Sequence, residues 1–508
     1  MGSQHPDHID FAGDYNLTGV ILQNHAGTGG NLGEGGVNIQ SMVQELNIYE
    51  GINQSSVYGT LVIVDSTNII GNLPIQGTER LMFKLSTPGA SEADHIIDAS
   101  EQTGHPFYVY KISNKKQPTQ GTLVYTIHFC SREFLRNIRT KVSQAYSGKL
   151  STMVQEIIGD KQGLDSRKTL YYETTKNSDK VVIPNLPPFK AINLIAKRAL
   201  SENTKGVGFY FYETTKGFYF QSWENMCADY GTREKPVVQQ FFFKPQNITD
   251  KDMEKDKTLD DLSSVESYKF LNTSHDTAAA TVLGTYGHRV ITHNIYDKSY
   301  NTVDYHYHNE FNETVHADFT NEEGSDNKHA VRGNPVDYDN NNISDYAESV
   351  VSLYPTTQFL HDEDTGSYGI EVSQDAKNIG IANAIKMQVT AGTTVQLTVK
   401  GQSYIQPGQV IDFNLRPVEE EGMTADKKTY DPQYSGRYII TKVRHRVTKQ
   451  DYKMVLECRK DSVREQLPGE KITNFTGQAN NENAQYSPLT DSNLASIASG
   501  SGPKKYGL

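Results

Sequence analysis

Residues 435–445 read Ser-Gly-Arg-Tyr-Ile-Ile-Thr-Lys-Val-Arg-His, and residues 452–458 read Tyr-Lys-Met-Val-Leu-Glu-Cys. Both stretches are rich in β-branched and aromatic residues, and a short polar segment at 448–451 separates them. This pattern predicts a β-hairpin. Further strand-like stretches precede it at 385–399 and at 410–415. The chain therefore has a strand-rich block between Ile385 and Cys458.

A second strand-rich block lies near the start of the chain, between Val57 and Cys130. Apolar and polar residues alternate there in short runs, as expected of strands with one buried face. The predicted strands are residues 59–65, 80–85, 107–112 and 123–129, with breaks at 71–74, 87–89 and 117–118. The layout predicts two similar small β-barrels or sandwiches in one chain, joined by inserted domains.

The segment between the two blocks changes from strand spacing to helical spacing. Its apolar residues recur three and four positions apart, and two Phe- and Tyr-rich strands follow. Residues 37–49 are ambiguous, although the spacing of Ile39, Met42, Val43 and Leu46 favours a helix over a strand. The predicted helices are residues 134–145, residues 152–159 with a capping box, and a helix that starts at Pro187-Pro188, followed by a hairpin of 207–212 and 217–221.

These patterns predict an α+β protein that is mostly β, with two similar barrels and with inserted α/β and irregular domains. The predicted segments are a flexible N-terminal segment at 1–36, a first barrel at 37–130, a helical and aromatic-hairpin insertion at 131–240, an Asn-, Asp- and His-rich insertion at 241–380, a second barrel at 381–465, which could also use earlier strands, and a flexible C-terminal tail at 466–508.

Composition limits the class of protein. The 508 residues are too many for one hydrophobic core. A formal net charge of −12 argues against tight nucleic-acid binding. Three cysteines, Cys130, Cys227 and Cys458, are too few for a disulfide framework and favour buried thiols. We see no signal peptide and no apolar run long enough to span a membrane, so we expect a soluble protein made in a reducing cytoplasm.

Two groups of polar residues are candidates for chemistry. His306 and His308 would share one strand face with Asp304, which could form a metal site, but a polar surface loop explains them as well. The acidic residues Glu310, Glu313 and Asp318 could supply a hydrolase pair, but acidic residues are abundant here. The Gly-rich stretch at 26–36 lacks the Lys of a phosphate-binding loop. We therefore predict no catalytic residue, no cofactor and no metal, and retain His306 and His308 as weak metal candidates.

An aromatic stretch and a basic stretch each have two interpretations, ligand binding and ordinary packing or solvation. The aromatic residues at 207–220 could stack on sugars or bases, but core packing fits their position beside an apolar helix better. A basic run in the last hairpin could bind nucleic acid. In an acidic chain, a solvated strand face or a contact with an acidic neighbouring subunit fits it better. The run consists of Arg437, Lys442, Arg444, His445 and Arg446.

Three segments resemble the central hub protein of contractile-tail baseplates in myovirus-type bacteriophages. The first is residues 58–65 continued by 75–85. The second is the helix at 189–198 with its aromatic hairpin, which is similar to a unit shared with type VI secretion spike proteins. The third is Ile405-Gln-Pro-Gly408 followed by residues 434–445. In order, the three segments span about residues 37–465, with the middle poorly matched.

The resemblance implies a structural protein with two tube-type β-barrels per chain. Three chains would form a homotrimeric, pseudo-hexameric ring that joins the tail tube to the central spike. The implied partners are the spike protein, tail tube or tube-initiator proteins and the surrounding baseplate wedge proteins, while phage DNA passes through the channel without specific binding. The implied location is the virion tail baseplate, after assembly in the host bacterial cytoplasm. Two alternatives stay open: a tail-associated peptidoglycan hydrolase and a receptor-binding module.

Overall fold

The computed structural model describes residues 9, 11–24, 26, 35–73, 75–89, 95–102, 104–176, 178–202, 208–227, 235–243, 257–272, 277–294, 298, 300–310, 315–318, 345–356, 380–381, 383–384, 386–387, 389–390, 392–415, 430–431 and 433–463. The predictions for the C-terminal tail at 466–508 and for Glu313 lie outside these residues. So do half of 1–36 and much of the His- and Asn-rich insertion. Within the segment predicted to be flexible, residues 16–23 form a strand that pairs with residues 80–86.

Strands dominate the described residues, so the prediction of a mostly β protein is confirmed. The strands of the N-terminal third are β1 (Asn16–Gln23), β2 (Val37–Asn38), β3 (Val43–Gly51), β4 (Tyr58–Asp65), β5 (Arg80–Ser86), β6 (Ile96–Asp98), β7 (Phe107–Thr119) and β8 (Thr122–Cys130), with the short helix α1 (Ile69–Asn72). The insertion that follows contains α2 (Arg132–Arg139), β9 (Ala145–Lys149), α3 (Leu150–Gly159), β10 (Leu170–Tyr172), β11 (Ser178–Val182), α4 (Pro188–Ala196), β12 (Phe209–Thr214), β13 (Gly217–Ser222) and α5 (Trp223–Cys227).

The remainder of the described chain contributes strands to two sheets, a large one and a small one of three strands. Its elements are β14 (Val237–Phe242), α6 (Lys257–Ser263), β15 (Val265–Asn272), α7 (Thr277–Leu283), β16 (Gly287–Asn294), β17 (Tyr300–His306), α8 (Tyr307–Glu310), β18 (Val351–Thr356), β19 (Thr393–Lys400), β20 (Val410–Asn414), β21 (Gly436–Thr448) and β22 (Tyr452–Lys460). The small sheet has the order β17-β16-β18. No helix in the described part of the chain has the length and apolar character of a membrane span.

One 14-stranded sheet contains both strand-rich blocks. Its main path runs β15-β19-β22-β21-β3-β4-β8-β7-β5-β1-β2, and β20, β14 and β6 branch from it. Both ends of this path are open among the described strands, so two closed barrels are not seen there. The fold class is thus confirmed in its mostly β character, and barrel closure is not.

The two blocks have the same strand order. The first unit consists of six strands, which are numbered here from first to sixth along the chain: β1, β3, β4, β5, β7 and β8. Across the sheet they lie in the order β3-β4-β8-β7-β5-β1, that is, second, third, sixth, fifth, fourth, first. In the second unit, β14, β15, β19, β20, β21 and β22 follow that same path. Neighbouring strands are antiparallel throughout, except that β20 and β14 are parallel where β5 and β1 are antiparallel. The chain therefore contains one β-sheet topology twice.

A shared hydrophobic core supports both units. Leu61 and Phe129 of the first unit and Leu397 and Leu456 of the second belong to one continuous cluster of buried side chains. Burial of this apolar area is the main favourable contribution to folding of the sheet. The two units are therefore one folded body within the described residues.

The insertion has a core of its own. The aromatic hairpin β12–β13 packs against α3 and α4, and Phe211, Phe218 and Phe220 are buried among them. The third predicted helix is confirmed as α4, which has Pro188 in its first turn. The other two predictions need correction. Helix α2 ends at Arg139, because Val142 leaves the helix and pairs its backbone with Leu186.

The second predicted helix, α3, begins at Leu150 instead of Thr152. Its N-cap is Lys149 without a side-chain hydrogen bond, so the predicted capping box is wrong. The left-handed backbone of Gly148 precedes this cap (φ 118°), and the side chain of Leu150 is fully buried. Core burial of Leu150 therefore sets the start of the helix in place of a polar cap.

Three strand assignments also differ from the sequence-based ones. Residues 43–49, for which a helix was favoured, belong to strand β3, and a register shift between Val43 and Glu45 breaks the regular alternation. The predicted strand at 385–399 begins only at Thr393, since the described residues among 380–390 are helical. The predicted break at 117–118 lies inside β7, where Pro118 occupies an irregular part of the ladder and loses no regular hydrogen bond.

Candidate functional site

The junction between the two units is the candidate functional site. Strands β3 and β21 pair antiparallel from Gly51 opposite Lys442 to Glu45 opposite Thr448. In the numbering of the repeat, the second strand of the first unit pairs with the fifth strand of the second unit. Residues about 400 positions apart in sequence thus meet in one ladder, for example Asn47 and Arg444. The junction is therefore the contact through which one copy of the repeat recognises the other.

Charged side chains line one face of this junction. Glu45 accepts a hydrogen bond from Arg446 at 3.2 Å and lies 3.6 Å from Arg444. The Arg444 Nε donates to the Asn47 Oδ1 at 3.0 Å, and its guanidinium lies 5.7 Å from the centre of the Tyr49 ring. Partly exposed ion pairs contribute about 0–1 kcal/mol each. This network therefore fixes the register of the two strands more than it stabilises the fold.

The other face of the junction buries two titratable groups. The Glu50 carboxyl accepts a hydrogen bond from the Thr215 N–H at 3.1 Å, and its second oxygen has no hydrogen-bond partner among the described residues. Burial raises the pKa of Glu50 to about 7. The His445 Nδ1 is hydrogen-bonded to the Tyr452 hydroxyl at 2.7 Å, and burial lowers the pKa of His445 to about 3. In the folded protein Glu50 is therefore mostly neutral below about pH 7, and His445 is mostly neutral above about pH 3.

A second buried cluster joins the insertion to the first unit. The Lys168 ammonium lies 3.0 Å from Glu133 and forms a shorter ion pair with Glu213. Glu213 also accepts hydrogen bonds from Ser131 at 2.7 Å and from the Val57 N–H at 3.0 Å. The insertion, through α2 and β12, is thereby tied to the start of β4.

The charge state of this cluster follows from its contacts. Burial alone would lower the pKa of Lys168, but the two carboxylates raise it above its ordinary range. Burial would raise the pKa of Glu133, but Lys168 and the Ser166 hydroxyl lower it, whereas burial keeps the pKa of Glu213 raised. Such a lysine stays protonated and is no nucleophile. A pocket beside the cluster is lined by Val57, Ile97, Asp98, His105, Phe107, Lys168, Glu213, Thr214 and Thr215.

The geometry assumed for the weak metal candidates is wrong. Strand β17 ends at His306 and helix α8 begins at Tyr307, so His306 and His308 do not share a strand face. Asp304 instead binds Arg289 through two contacts of 2.6 and 2.8 Å. Among the described residues, no group of three or more His, Cys, Asp or Glu side chains is close enough to hold a metal ion.

Two further histidines and the candidate Asp318 lie at separate places in the insertion. His288 is buried between the Gly284 and Gly380 carbonyl oxygens, 3.1 Å from each. His316 lies 3.0 Å from Asp461, and the buried Asp318 lies 3.6 Å from Lys460. The Asp318 carboxylate also accepts a hydrogen bond from the Arg437 N–H at 2.8 Å. Of the three acidic candidates for a hydrolase pair, Asp318 is thus buried against Lys460, and Glu313 lies outside the described residues.

The basic run in β21 has acidic partners inside the chain. Arg444 and Arg446 meet Glu45, and Lys442 lies 2.8 Å from Glu457. His445 and Arg437 are buried. Arg444, Arg446 and Lys442 remain partly exposed, as expected of a solvated strand face. Arg444 and Arg446 pair with the first unit and form the basic half of the junction, whereas Lys442 pairs with Glu457 of its own unit.

Sequence reasoning missed the acidic half of the junction and the lysine cluster. In β3, Leu46, Ile48 and Glu50 are buried on one face. Had residues 43–51 been assigned as a strand, the alternation would have placed Glu50 in the core. For Lys168, Glu133 and Glu213 the sequence contains no comparable signal, because they come from three separate segments of the chain. The prediction of buried thiols is confirmed at Cys130, Cys227 and Cys458.

Several solved structures match the chain. A 43 kDa tail protein of prophage MuSo2 from Shewanella oneidensis is 9% identical with a TM-score of 0.46, and covers 88% of this chain and 98% of its own. A tail protein from Neisseria meningitidis MC58 is 10% identical with a TM-score of 0.47, over 88% and 97%. The Escherichia coli c3393 protein, a component of the type VI secretion system, is 9% identical with a TM-score of 0.36, over 84% and 75%.

No protein-family model and no curated protein sequence match the chain. The matching structures are phage tail proteins and proteins related to the type VI secretion spike, the same kinds of protein that the sequence of this chain resembles.

Proposed function

We propose that the protein is a structural hub subunit of a contractile-tail baseplate. Three copies form a ring of six β units that joins the tail tube to the central spike. The observation that carries this proposal is the repeated strand order of the two units within one chain. The subunit acts in the virion tail after assembly in the host cytoplasm, and wedge proteins surround it.

The repeated topology gives the chain a way to adapt one symmetry to another. Two similar units in each of three copies present six similar surfaces around one axis. Such a ring meets a sixfold tube on one side, while its insertions occur three times and meet a threefold spike on the other. The insertion core and the Lys168 cluster hold this second surface rigidly to the first unit. A single unrepeated domain would offer no such adaptation.

The charge distribution favours a channel through which DNA passes without specific binding. The net charge is −12, and the basic run of β21 is neutralised by Glu45 and Glu457 within the chain. Phosphate groups are attracted to unpaired Lys and Arg side chains. A chain whose most basic strand is already paired offers DNA few such contacts.

The oligomeric state of the purified protein tests the proposal. Light scattering coupled to gel filtration measures the mass, and electron microscopy of the same sample shows the shape. We expect three times the mass of the chain and ring-shaped particles with a central opening. A monomer at every concentration, or a twofold dimer, would contradict a hub built from three copies. Addition of tube or spike protein is expected to produce co-elution with the ring.

We also propose that the subunit acts without catalysis. The buried carboxylates Glu133 and Glu213 pair with Lys168, and Asp318 lies beside Lys460. A glycosidase requires two carboxyl groups that face a substrate cleft. A cell-wall gel-clearing assay with purified protein is expected to show no clearing. Clearing that disappears on a single Asp or Glu substitution would support the hydrolase alternative. Binding of the isolated protein to intact host cells would support the receptor-binding alternative.

A further inference from the structure

Two strand edges are left unused by the junction inside the chain. The junction pairs the second strand of the first unit, β3, with the fifth strand of the second unit, β21. The same two positions of the repeat are therefore left over: the fifth strand of the first unit, β7, and the second strand of the second unit, β15. If the units are alike, these two edges are complementary to each other in the way that β3 and β21 are.

Strand β7 has the layout of β21. Each strand has 13 residues. Each pairs along its length with the sixth strand of its unit, and at its N-terminal end with the fourth strand. The remaining edge of β21, from Lys442 to Thr448, pairs with β3. The matching edge of β7, residues 111–119, pairs with no strand in the described part of the chain, and most of its side chains are exposed.

Strand β15 has the layout of β3. It pairs with the third strand of its unit, β19, from Val265 opposite Val399 to Asn272 opposite Thr394. It ends the path of the main sheet, so its other edge has no strand partner among the described residues. Its alternate side chains Tyr268 and Phe270 pack on the shared core, and Leu271 is 49% exposed. An edge of this kind, ordered by its own sheet, is a template for a further strand.

We propose that β15 of one copy pairs antiparallel with β7 of the next copy and repeats the β3–β21 junction between molecules. This inference rests on the proposed ring. The contact is head-to-tail, because the two edges belong to different units, and such contacts form a ring when the rotation between copies closes. With three copies, six similar junctions alternate around the ring, three within chains and three between them.

Basic residues on β7 do not oppose this pairing. Lys111, Lys115 and Lys116 lie on the strand, and lysines on an edge often prevent association. Strand β21 has a similar basic character, with Arg444 and Arg446 near the ladder, and it still pairs with β3. A basic fifth strand is thus a shared feature of the two units.

The equivalence of the units also predicts the register. The buried side chains align the two units: Phe129 of β8 is opposite Gly59, Cys458 of β22 is opposite Val395, and Phe129, Val395 and Cys458 all belong to the shared core. In this alignment Ser113, opposite Thr126, corresponds to Arg444, opposite Val455. Asn272, opposite Thr394, corresponds to Tyr49, opposite Tyr58. Arg444 is opposite Tyr49 in the junction within the chain, so Ser113 of one copy is expected opposite Asn272 of the next.

Disulfide trapping tests this pair directly. The double variant Ser113→Cys, Asn272→Cys is oxidised and run on a denaturing gel without reductant. We expect bands of two and three linked chains, with most of the protein converted, because opposed strand residues bring their Cβ atoms within disulfide range. The native cysteines are buried and give no background. The matched control pairs Ser113→Cys with Val182→Cys, a residue 67% exposed on the insertion, and is expected to stay unlinked.

Hydrogen exchange of the unmodified protein gives an independent measurement. We expect the amides of residues 111–119 to exchange at least about tenfold more slowly in the oligomer than in the diluted monomer. A threefold mass with no selective linkage and no change in exchange at β7 would overturn this inference and leave the hub proposal standing. A monomer at every concentration would overturn both.

Discussion

Glu50 provides the sharpest prediction about the junction between the two units. Its carboxyl is buried on β3 and has a pKa raised to about 7 from an ordinary value of 4.5. The folded protein therefore holds a proton on Glu50 in a pH range where the unfolded chain has lost it. Unfolding then releases a proton between these two values, so the free energy of unfolding falls as pH rises through them. Above about pH 7 the loss is complete.

The size of the effect follows from the two pKa values. The difference between 4.5 and about 7 corresponds to about 3 kcal/mol. Between about pH 5 and about pH 8, the loss attributable to Glu50 is about 2–3 kcal/mol. The substitution Glu50→Gln keeps an oxygen for the Thr215 N–H and removes the ionisation. The variant is therefore expected to resemble the parent at about pH 5 and to be more stable by about 2–3 kcal/mol at about pH 8.

Urea unfolding followed by tryptophan fluorescence measures this effect. The chain has a single tryptophan, Trp223, which is buried in a cluster with Ile52 and Ile439 next to the junction. Its emission therefore reports on the region around Glu50. The difference in free energy of unfolding between parent and variant is compared at about pH 5 and about pH 8, conditions that bracket the relevant range.

Glu45 on the same strand is the matched control. Although partial burial raises its pKa, the Arg446 hydrogen bond and the nearby positive charges lower it overall. Glu45 therefore stabilises the fold above the ordinary carboxyl pKa, and this contribution is lost as pH falls. Glu45→Gln is expected to destabilise by up to about 1 kcal/mol at neutral pH. Parallel pH profiles for the parent and Glu50→Gln, or equal signs for the two substitutions, would refute the reasoning.

Three further predictions concern other parts of the fold. Lys168→Met leaves two buried carboxylates without their cation, and thermal unfolding is expected to show a loss of about 3–5 kcal/mol of stability, part of which Glu133→Gln restores. An unchanged stability of Lys168→Met would contradict the ion pairing in this cluster. Gly59→Ala places a Cβ in steric overlap with the Phe129 ring and with the Asn47 backbone oxygen, and is expected to lower the urea midpoint by the equivalent of about 1–3 kcal/mol. An unchanged midpoint would show that the strands can separate at this position. Burial lowers the pKa of His445 to about 3, so the folded protein loses stability as pH falls below the ordinary histidine pKa. His445→Gln is expected to remove about 1–2 kcal/mol of the fall in unfolding free energy between about pH 6.5 and about pH 5, and an unchanged pH dependence of that free energy would contradict this.

Local patterns predicted the strands and hairpins well, because their information lies within a few residues. The hairpin β21–β22 and the aromatic hairpin β12–β13 are formed by neighbouring segments with matching alternation. The start of α4 was also predictable, because Pro188 suits a first helical turn. Each of these features depends on side chains that are close in sequence.

The errors in element type have local causes of their own. Ile39 and Met42 belong to the short 3-10 turn that precedes β3, and a register shift between Val43 and Glu45 interrupts the alternation at the start of β3. Together these two irregularities give residues 39–46 an apolar spacing that imitates a helix. Leu150 starts α3 because its side chain is needed in the core of the insertion. Tertiary contacts thus decided both cases, and a sequence pattern reports such contacts only indirectly.

The junction itself could not be predicted from local patterns. Glu45 and Arg446 are 401 positions apart, and each is an ordinary charged residue in its own segment. Only the strand pairing of β3 with β21 brings them together. The sequence did indicate two similar blocks, but the equivalence of their strand orders appears only when the pairing of every strand is known. Sequence patterns therefore indicated the repeat, and the structure is needed to show how its two copies meet.

The rotational symmetry of the assembled particle tests the central claim most directly. A low-resolution electron-microscopy map of the purified protein can be compared with itself after rotation about its axis. If the repeated units form six similar positions, the β layer of the map will correlate strongly with itself after one-sixth of a turn, and the layer of insertions only after one-third. A β layer that matches itself only after one-third of a turn would contradict the account.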